Sequence, residues 1–311
     1  MRDSLWNLKI LVNIFKMVRV HIVAGGVLAF SLGTLLAVLN DGGFNATQTF
    51  LGYLVVFFGD LSTHYSNDYF DIEVDRHDEH RKFFGGSGIL IEYPMLVPIA
   101  KYIAIFLMVL SVSIAIILVS FFDVPNKFLF LAIGANLLGW FYSAPPLRLN
   151  STGFGEIAIA VGTGFVIPGA GYLIAKGQFD LVFVLFAIPF TMYGLMLSFS
   201  LEIPDMEIDA KGGKKNLVVR KGRRFISKAV LLISLLATII FLSYTLNIAS
   251  LTIIDLRIAA LFSGFPLGAG IIGFLWTSDK KDVADFIGAV NITSLFLFNV
   301  LMNLYFFNLL F

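Results

Sequence analysis

Five polar residues recur at helical spacing in one stretch of this sequence: Asp60, His64, Asn67, Asp71 and Asp75. Steps of four, three, four and four line them along one face of a continuous helix. The face begins in the last part of an apolar run, so it starts inside a hydrophobic segment and ends beyond it. Carboxylates at the end of a membrane helix are costly without a partner. No basic row matches them, so the pattern points to a cation. Magnesium, a hard dication, takes one or two carboxylates together with substrate phosphate oxygens. Carboxylates one turn apart can share one ion. A solvated acidic helix end is the plain alternative, but it gives no reason for Asp60 and His64 to extend the polar face into the apolar run.

A second acidic set follows later: Glu202, Asp205 and Asp209, at i, i+3 and i+7. Pro204 should loosen the helix there. Two acidic helix ends at one membrane face could hold two metal ions around one polyanion. Each is followed by bases, Arg81 and Lys82 after the first, Lys211, Lys214, Lys215 and Arg220 after the second. Such cations recognise phosphate beside a metal, although basic loops are expected on this side of a membrane in any case. Gly85-Gly86-Ser87-Gly88 could offer backbone N–H groups but fits no phosphate-loop pattern. Tyr142, Ser143 and Arg148 flank Pro145-Pro146, which should stop a helix, and reach the side that bears the acids. Arg19 opens an apolar segment and either binds an anionic group or snorkels. Glu156 reads equally as a catalytic acid or a structural acceptor. Asn291, Asn299 and Asn303 read as interhelical polar contacts.

These side chains need elements to hold them. The chain has 311 residues, 58% hydrophobic and only 14% charged, with mean hydropathy +0.87. A soluble globule is nearer a quarter charged, so the sequence predicts an all-α, multispanning membrane protein. Runs long enough to span a bilayer fall near 19–39, 47–68, 94–121, 127–143, 154–175, 181–201, 225–246, 254–276 and 286–310, nine in all and one domain over 1–311. All but Lys127, Lys176 and Arg257 of the 22 basic residues fall on one side of these spans. That places the N-terminus and both acidic sets in the cytoplasm and the C-terminus outside. Residues 1–18 read as an interfacial helix, from Leu5, Leu8, Leu11 and Phe15. Cysteine is absent, which excludes disulfides, thiol nucleophiles and thiolate metal sites. No nucleic acid and no obligate protein partner is expected.

Taken together, Asn67-Asp68-Tyr69-Phe70-Asp71-Ile72-Glu73-Val74-Asp75 resembles the NDxxDxxxD motif of the UbiA-type intramembrane prenyltransferases. Asp205-Met206-Glu207-Ile208-Asp209 resembles their DxxxD motif, and Tyr142-Ser143-Ala144-Pro145-Pro146-Leu147-Arg148-Leu149 the segment after their fourth helix. The resemblance implies a nine-helix bundle around a central cavity. It implies that Asn67, Asp71 and Asp75 bind one Mg²⁺, that Asp205 and Asp209 bind a second, and that both ions grip a polyprenyl diphosphate. Asp68 would be a ligand or a neighbour of one, with Tyr142, Ser143 and Arg148 beside the diphosphate. Arg19, His64, Arg81, Lys82, Lys211, Lys215 and Glu202 are the further substrate-binding expectations. The acceptor implied is aromatic, as in the dihydroxynaphthoate (menaquinone) branch; Glu202 departs from the quinone-pathway pattern. A glycerol-phosphate alcohol and a chlorophyll-like acceptor stay open. A transporter is the rival of another class, but its acids belong near the bilayer midplane.

Overall fold

The computed structural model describes residues 10, 12–77, 86–247 and 254–310. It is helical throughout, with no strand among those residues. The long elements are α1 (Val20–Leu39), α2 (Ala46–Phe70), α3 (Val97–Phe121), α4 (Asn126–Ser143), α5 (Gly155–Lys176), α6 (Leu181–Lys211), α7 (Arg223–Asn247), α8 (Leu256–Trp276) and α9 (Lys281–Asn308). Each expected span therefore holds a helix. Seven of them are long and apolar enough to cross a bilayer; α2 and α4 are not among those seven. The physical reason for α2 is its polar face, from Asp60 to Asp68. Nine crossings were expected, and among the described residues seven helices meet the demand of length and apolarity. Of the expected N-terminal interfacial helix, residues 1–9 and 11 lie outside the described residues. Residues 12–16 are helical, with Phe15 exposed. That turn is pinned to α2, where the Tyr65 hydroxyl donates to the Ile14 carbonyl at 2.8 Å.

Local signals set several boundaries. Asn45 caps α2 by accepting from the Gln48 N–H at 3.0 Å, and Asp180 caps α6 through the Phe183 N–H at 3.1 Å. Side-chain oxygens at these positions satisfy N–H groups that have no intrahelical acceptor. Pro145-Pro146 ends α4 as expected.

Two expectations about the acidic helix ends are corrected. The first polar face is not one unbroken helix: α2 stops at Phe70, Asp71 takes a bend, and one further turn covers Ile72–Asp75. The register nevertheless survives, because the Asp71 N–H donates to the Asn67 carbonyl and the Asp75 N–H to the Asp71 carbonyl, each at 2.9 Å. The second acidic set lies, as expected, on the last turns of one helix, α6, but Pro204 does not break that helix. It runs 31 residues, straight through Pro189 and Pro204. At 1.5 Å per residue it is about 46 Å long, against an apolar thickness of about 30 Å. Its last turns therefore outreach the apolar layer, and they carry Asp205 and Asp209. Arg223 of α7 braces this tail: buried, it donates to the Ile203 carbonyl at 2.8 Å and grips Glu207 with both terminal nitrogens.

Three apolar clusters hold the bundle together. The largest joins α1, α5, α6, α7, α8 and α9 through residues such as Leu32, Tyr172, Phe186, Phe241 and Phe298. The second packs α2, α3, α4 and α5 around Phe128 and Leu173. The third seats Met17 against Leu61, Tyr65 and Leu96. Backbones approach closely where α1 meets α5, and a side chain at Gly33 would collide with the Pro168 carbonyl. Small residues at such contacts are how membrane helices pack. Large apolar side chains such as Phe106, Phe121, Phe130 and Leu275 stay exposed on the outside, as a lipid-facing surface requires. Asn303 makes the expected interhelical contact, donating to the Leu28 carbonyl of α1 at 3.0 Å.

Candidate active site

A cavity of about 330 Å³ opens between α1, α2, α4, α5 and α6. One part of its wall is apolar: Val55, Phe128, Leu131, Ala135, Ile159 and Ile167. Asn67, Asp71, Asp75, Asp205, Asp209 and Lys214 make up the acid-rich part. The two acidic helix ends, far apart in sequence, thus face one space.

Lys214 joins them. Its Nζ lies 3.1 Å from Asp71 Oδ2 and 3.1 Å from Asp209 Oδ1. Burial by itself would lower the lysine's pKa, but the Asp71 and Asp209 carboxylates outweigh that and hold it above the ordinary lysine range. The group stays an ammonium. Asp75 shows the opposite effect of crowding. Burial first, then the neighbouring Asp68 and Asp71 charges, push its carboxyl up to about 7.

Each acidic end has its own supports. Asn150 donates to Asp71 Oδ2 at 2.7 Å and to Ser143 Oγ at 3.1 Å, and Ser143 donates to Asn67 Oδ1 at 2.6 Å. Arg19 takes a left-handed backbone conformation at the start of α1. Its Nη2 meets Asp68 Oδ1 at 2.6 Å. At the second end Asn216 donates to Asp209 Oδ2 at 2.7 Å. Ser198 donates to Glu202 Oε1 at 3.1 Å. Polar capacity is left over: Asp68 Oδ2, Asp71 Oδ1, Glu202 Oε2 and His64 Nε2 are buried with no hydrogen-bond partner among the described residues.

The expected site residues divide clearly. Asn67, Asp71, Asp75, Asp205, Asp209, Tyr142, Arg19, His64 and Glu202 all line the cavity. Asp68 and Ser143 stand directly behind it, bonded to Arg19 and Asn67. Arg148, Lys211 and Lys215 do not come to it; all three are exposed. Lys211 is two residues past Asp209, which on a helix points it roughly to the opposite face. Arg148 follows the proline turn that carries the chain outward. Arg81 and Lys82 lie outside the described residues. The residues underrated in the sequence are Lys214 and Asn150. Lys214 is one of several bases in a loop, and its signal is proximity to Asp209. Asn150 carries no spacing signal at all.

Among the described residues, no three acidic or histidine side chains already form a group able to hold a metal ion. The donor set nonetheless suits a hard dication. It is all oxygen, and Asp71 Oδ1 has capacity to spare.

A helical bundle of long apolar helices whose cavity is acid- and lysine-lined in one part and apolar in another defines a class: an integral membrane protein with an internal cavity of mixed polarity. The family follows from comparison. The UbiA prenyltransferase family model matches residues 27–300, and the chain belongs to that family of intramembrane prenyltransferases. It is 24% identical over 217 residues to a 1,4-dihydroxy-2-naphthoate octaprenyltransferase of Bacillus subtilis (strain 168); the match covers 68% of this chain and 66% of that protein, just under two thirds of its length. Among solved structures, a UbiA homolog from Archaeoglobus fulgidus bound to DMAPP and Mg²⁺ shares the fold with TM-score 0.70 and 21% identity, over 95% of this chain and 98% of that one. A digeranylgeranylglyceryl phosphate synthase shares it with TM-score 0.68 and 17% identity, over 96% and 99%.

Proposed function

We propose that this chain is a Mg²⁺-dependent prenyltransferase that moves a polyprenyl group from its diphosphate to an aromatic acceptor of quinone-type lipid biosynthesis. One observation carries the reading: two acidic helix ends meet at one cavity that continues into an apolar wall. The naphthoate octaprenyltransferase relative supports the aromatic acceptor. The Archaeoglobus homolog with DMAPP and Mg²⁺ supports the metal and the donor class.

Asn67, Asp71 and Asp75 would hold one ion, and Asp205 and Asp209 a second. Bound magnesium supplies Lewis-acid neutralisation of the departing diphosphate. The residues of the chain do the rest. Lys214 places an ammonium where that negative charge collects, and Tyr142 lines the same cavity. The bond from the prenyl C1 to the diphosphate oxygen breaks with its electron pair leaving on oxygen. The acceptor carbon bonds to C1 and loses a proton. His64 Nε2 and Glu202 Oε2, buried and without a hydrogen-bond partner among the described residues, are positioned on the cavity wall to take it. The apolar wall holds the prenyl chain and keeps out water, which would otherwise capture the electrophile. Both acidic ends and the N-terminus face the cytoplasm, and the C-terminus faces outside, by the distribution of basic residues.

The test is transfer by the purified chain from geranylgeranyl diphosphate to a panel of aromatic acids and glycerol phosphates, with and without Mg²⁺. Product with aromatic acids in Mg²⁺ is expected. Product with glycerol phosphates alone would move the acceptor to the ether-lipid class, and product without metal would refute the magnesium site.

A further inference from the structure

We infer that the segment from Asn150 to Glu156, which leads from α4 into the first turn of α5, is a strut that sets the spacing of the two acidic helix ends, with Asn150 and Glu156 as positioning residues. The inference rests on reading those ends as halves of one diphosphate site.

Neither residue belongs to an acidic motif. Asn150 is buried and donates to Asp71, so one end of the strut holds the first acid set. Its neighbour Ser151 accepts the Lys215 N–H on its carbonyl at 3.0 Å. At the other end Glu156, 3% exposed, accepts the Leu217 N–H on Oε1 at 2.5 Å. Lys215 and Leu217 bracket Asn216, which donates to Asp209. The residue before Lys215 is Lys214, which touches both acids. The 214–217 segment is therefore fastened at two points to the 150–156 segment. Asp71 and Asp209 are connected twice, directly by the Lys214 ammonium and indirectly through the strut. Gly153 makes the strut compact: at φ +88° the chain turns back in a conformation that a side chain would resist.

Glu156 does not line the cavity. Its second oxygen is buried and has no hydrogen-bond partner among the described residues. A buried carboxylate held by a single backbone N–H is expensive, and what it secures here is the backbone that carries Lys214 and Asn216. The chemistry required of it is an acceptor oxygen, not a charge or a base. That distinction makes the role testable, since glutamine keeps the acceptor and alanine does not.

The experiment uses the full chain in lipid nanodiscs and follows binding of a non-reactive geranylgeranyl thiolodiphosphate as Mg²⁺ is titrated, with thermal melting as a check on folding. In Glu156→Ala and Asn150→Ala, the Mg²⁺ needed for half-maximal binding should rise by about ten- to a hundredfold, as when a group supporting a metal ligand is lost. Glu156→Gln should stay within about threefold of the parent, since the hydrogen bond survives. Unchanged binding in Glu156→Ala, or a loss in Glu156→Gln equal to that in Glu156→Ala, would overturn the strut. If Glu156→Ala does not fold, Asn150→Ala and Glu156→Gln decide: unchanged Asn150→Ala or impaired Glu156→Gln overturns it. A parent chain with no Mg²⁺-dependent binding would refute the diphosphate site itself, a result separable from failure of the strut alone.

Discussion

The two acidic helix ends differ in how they are built. The first breaks at Asp71 and restarts for one turn, and it is held by residues around it: Arg19, just before α1, pairs with Asp68, and Asn150 and Ser143 reach in from the end of α4 and beyond. The second is the unbroken tail of a long helix and is braced from behind. Arg223 clamps Glu207 and the carbonyls beside Pro204 on the face away from the cavity. The first end thus leans on Arg19 and Asn150, which also line the cavity, while the second has, besides Asn216 and Lys214, a support remote from it. Perturbing the first should disturb chemistry and stability together. Perturbing the second end's support should act through geometry alone.

The largest expected effects treat both ends alike. Asp71→Ala and Asp209→Ala should each lower prenyl transfer by about a thousandfold or more, because several kcal/mol of leaving-group stabilisation go with either. Turnover assays on protein with the parent's elution and melting profile check this, and a variant with near-parent turnover would remove its end from the reaction. EDTA should stop transfer and added Mg²⁺ restore it; persistence in chelator would remove metal binding from both acidic ends at once. Next comes Lys214→Met, which leaves two facing carboxylates without their shared cation. Donor KM should rise by about ten- to a hundredfold, the cost of removing one partner of a buried charged contact, with a smaller change in acceptor KM. Arg19→Gln sharpens the contrast. It strands Asp68 and should cost about 3 kcal/mol of stability, read as a lower melting temperature in detergent, and no loss there would show the first end to be held otherwise. The smallest effect belongs to Arg148→Ala. Exposed and off the cavity, it should change donor KM by less than about twofold, within the range of ordinary surface substitutions; a tenfold rise would return it to the site.

Much of this is legible in the order of residues. The helical class follows from long apolar runs, and the first acid face from steps of three and four, because both depend only on local periodicity. Of the motif acids, Asp71, Asp75, Asp205 and Asp209 do line the cavity. Harder to read are the continuation of α6 through Pro204 and the break at Asp71, since both lie in stretches held by residues distant in sequence: Arg223 in one case, Asn150 and Arg19 in the other. Among the loop bases, the chain offers several equivalent lysines and a lone arginine. Direction of projection chose Lys214 and turned Lys211, Lys215 and Arg148 outward.

Membrane residence, oxygen-rich helix ends and kinship with proteins that handle prenyl diphosphates are all written in the linear chain. Hydropathy and residue spacing are properties of short stretches, so they survive without knowledge of the fold. Which residues meet is a matter of packing: Asp71 with Asp209 across Lys214, Asn150 with the first acid set, Glu156 with the loop that carries Lys214 and Asn216. The hydrogen bond from Asn150 to Asp71 joins positions 79 apart, and the one from Leu217 to Glu156 positions 61 apart. Nothing in a linear pattern fixes the distance between two helix ends until the bundle has closed around them.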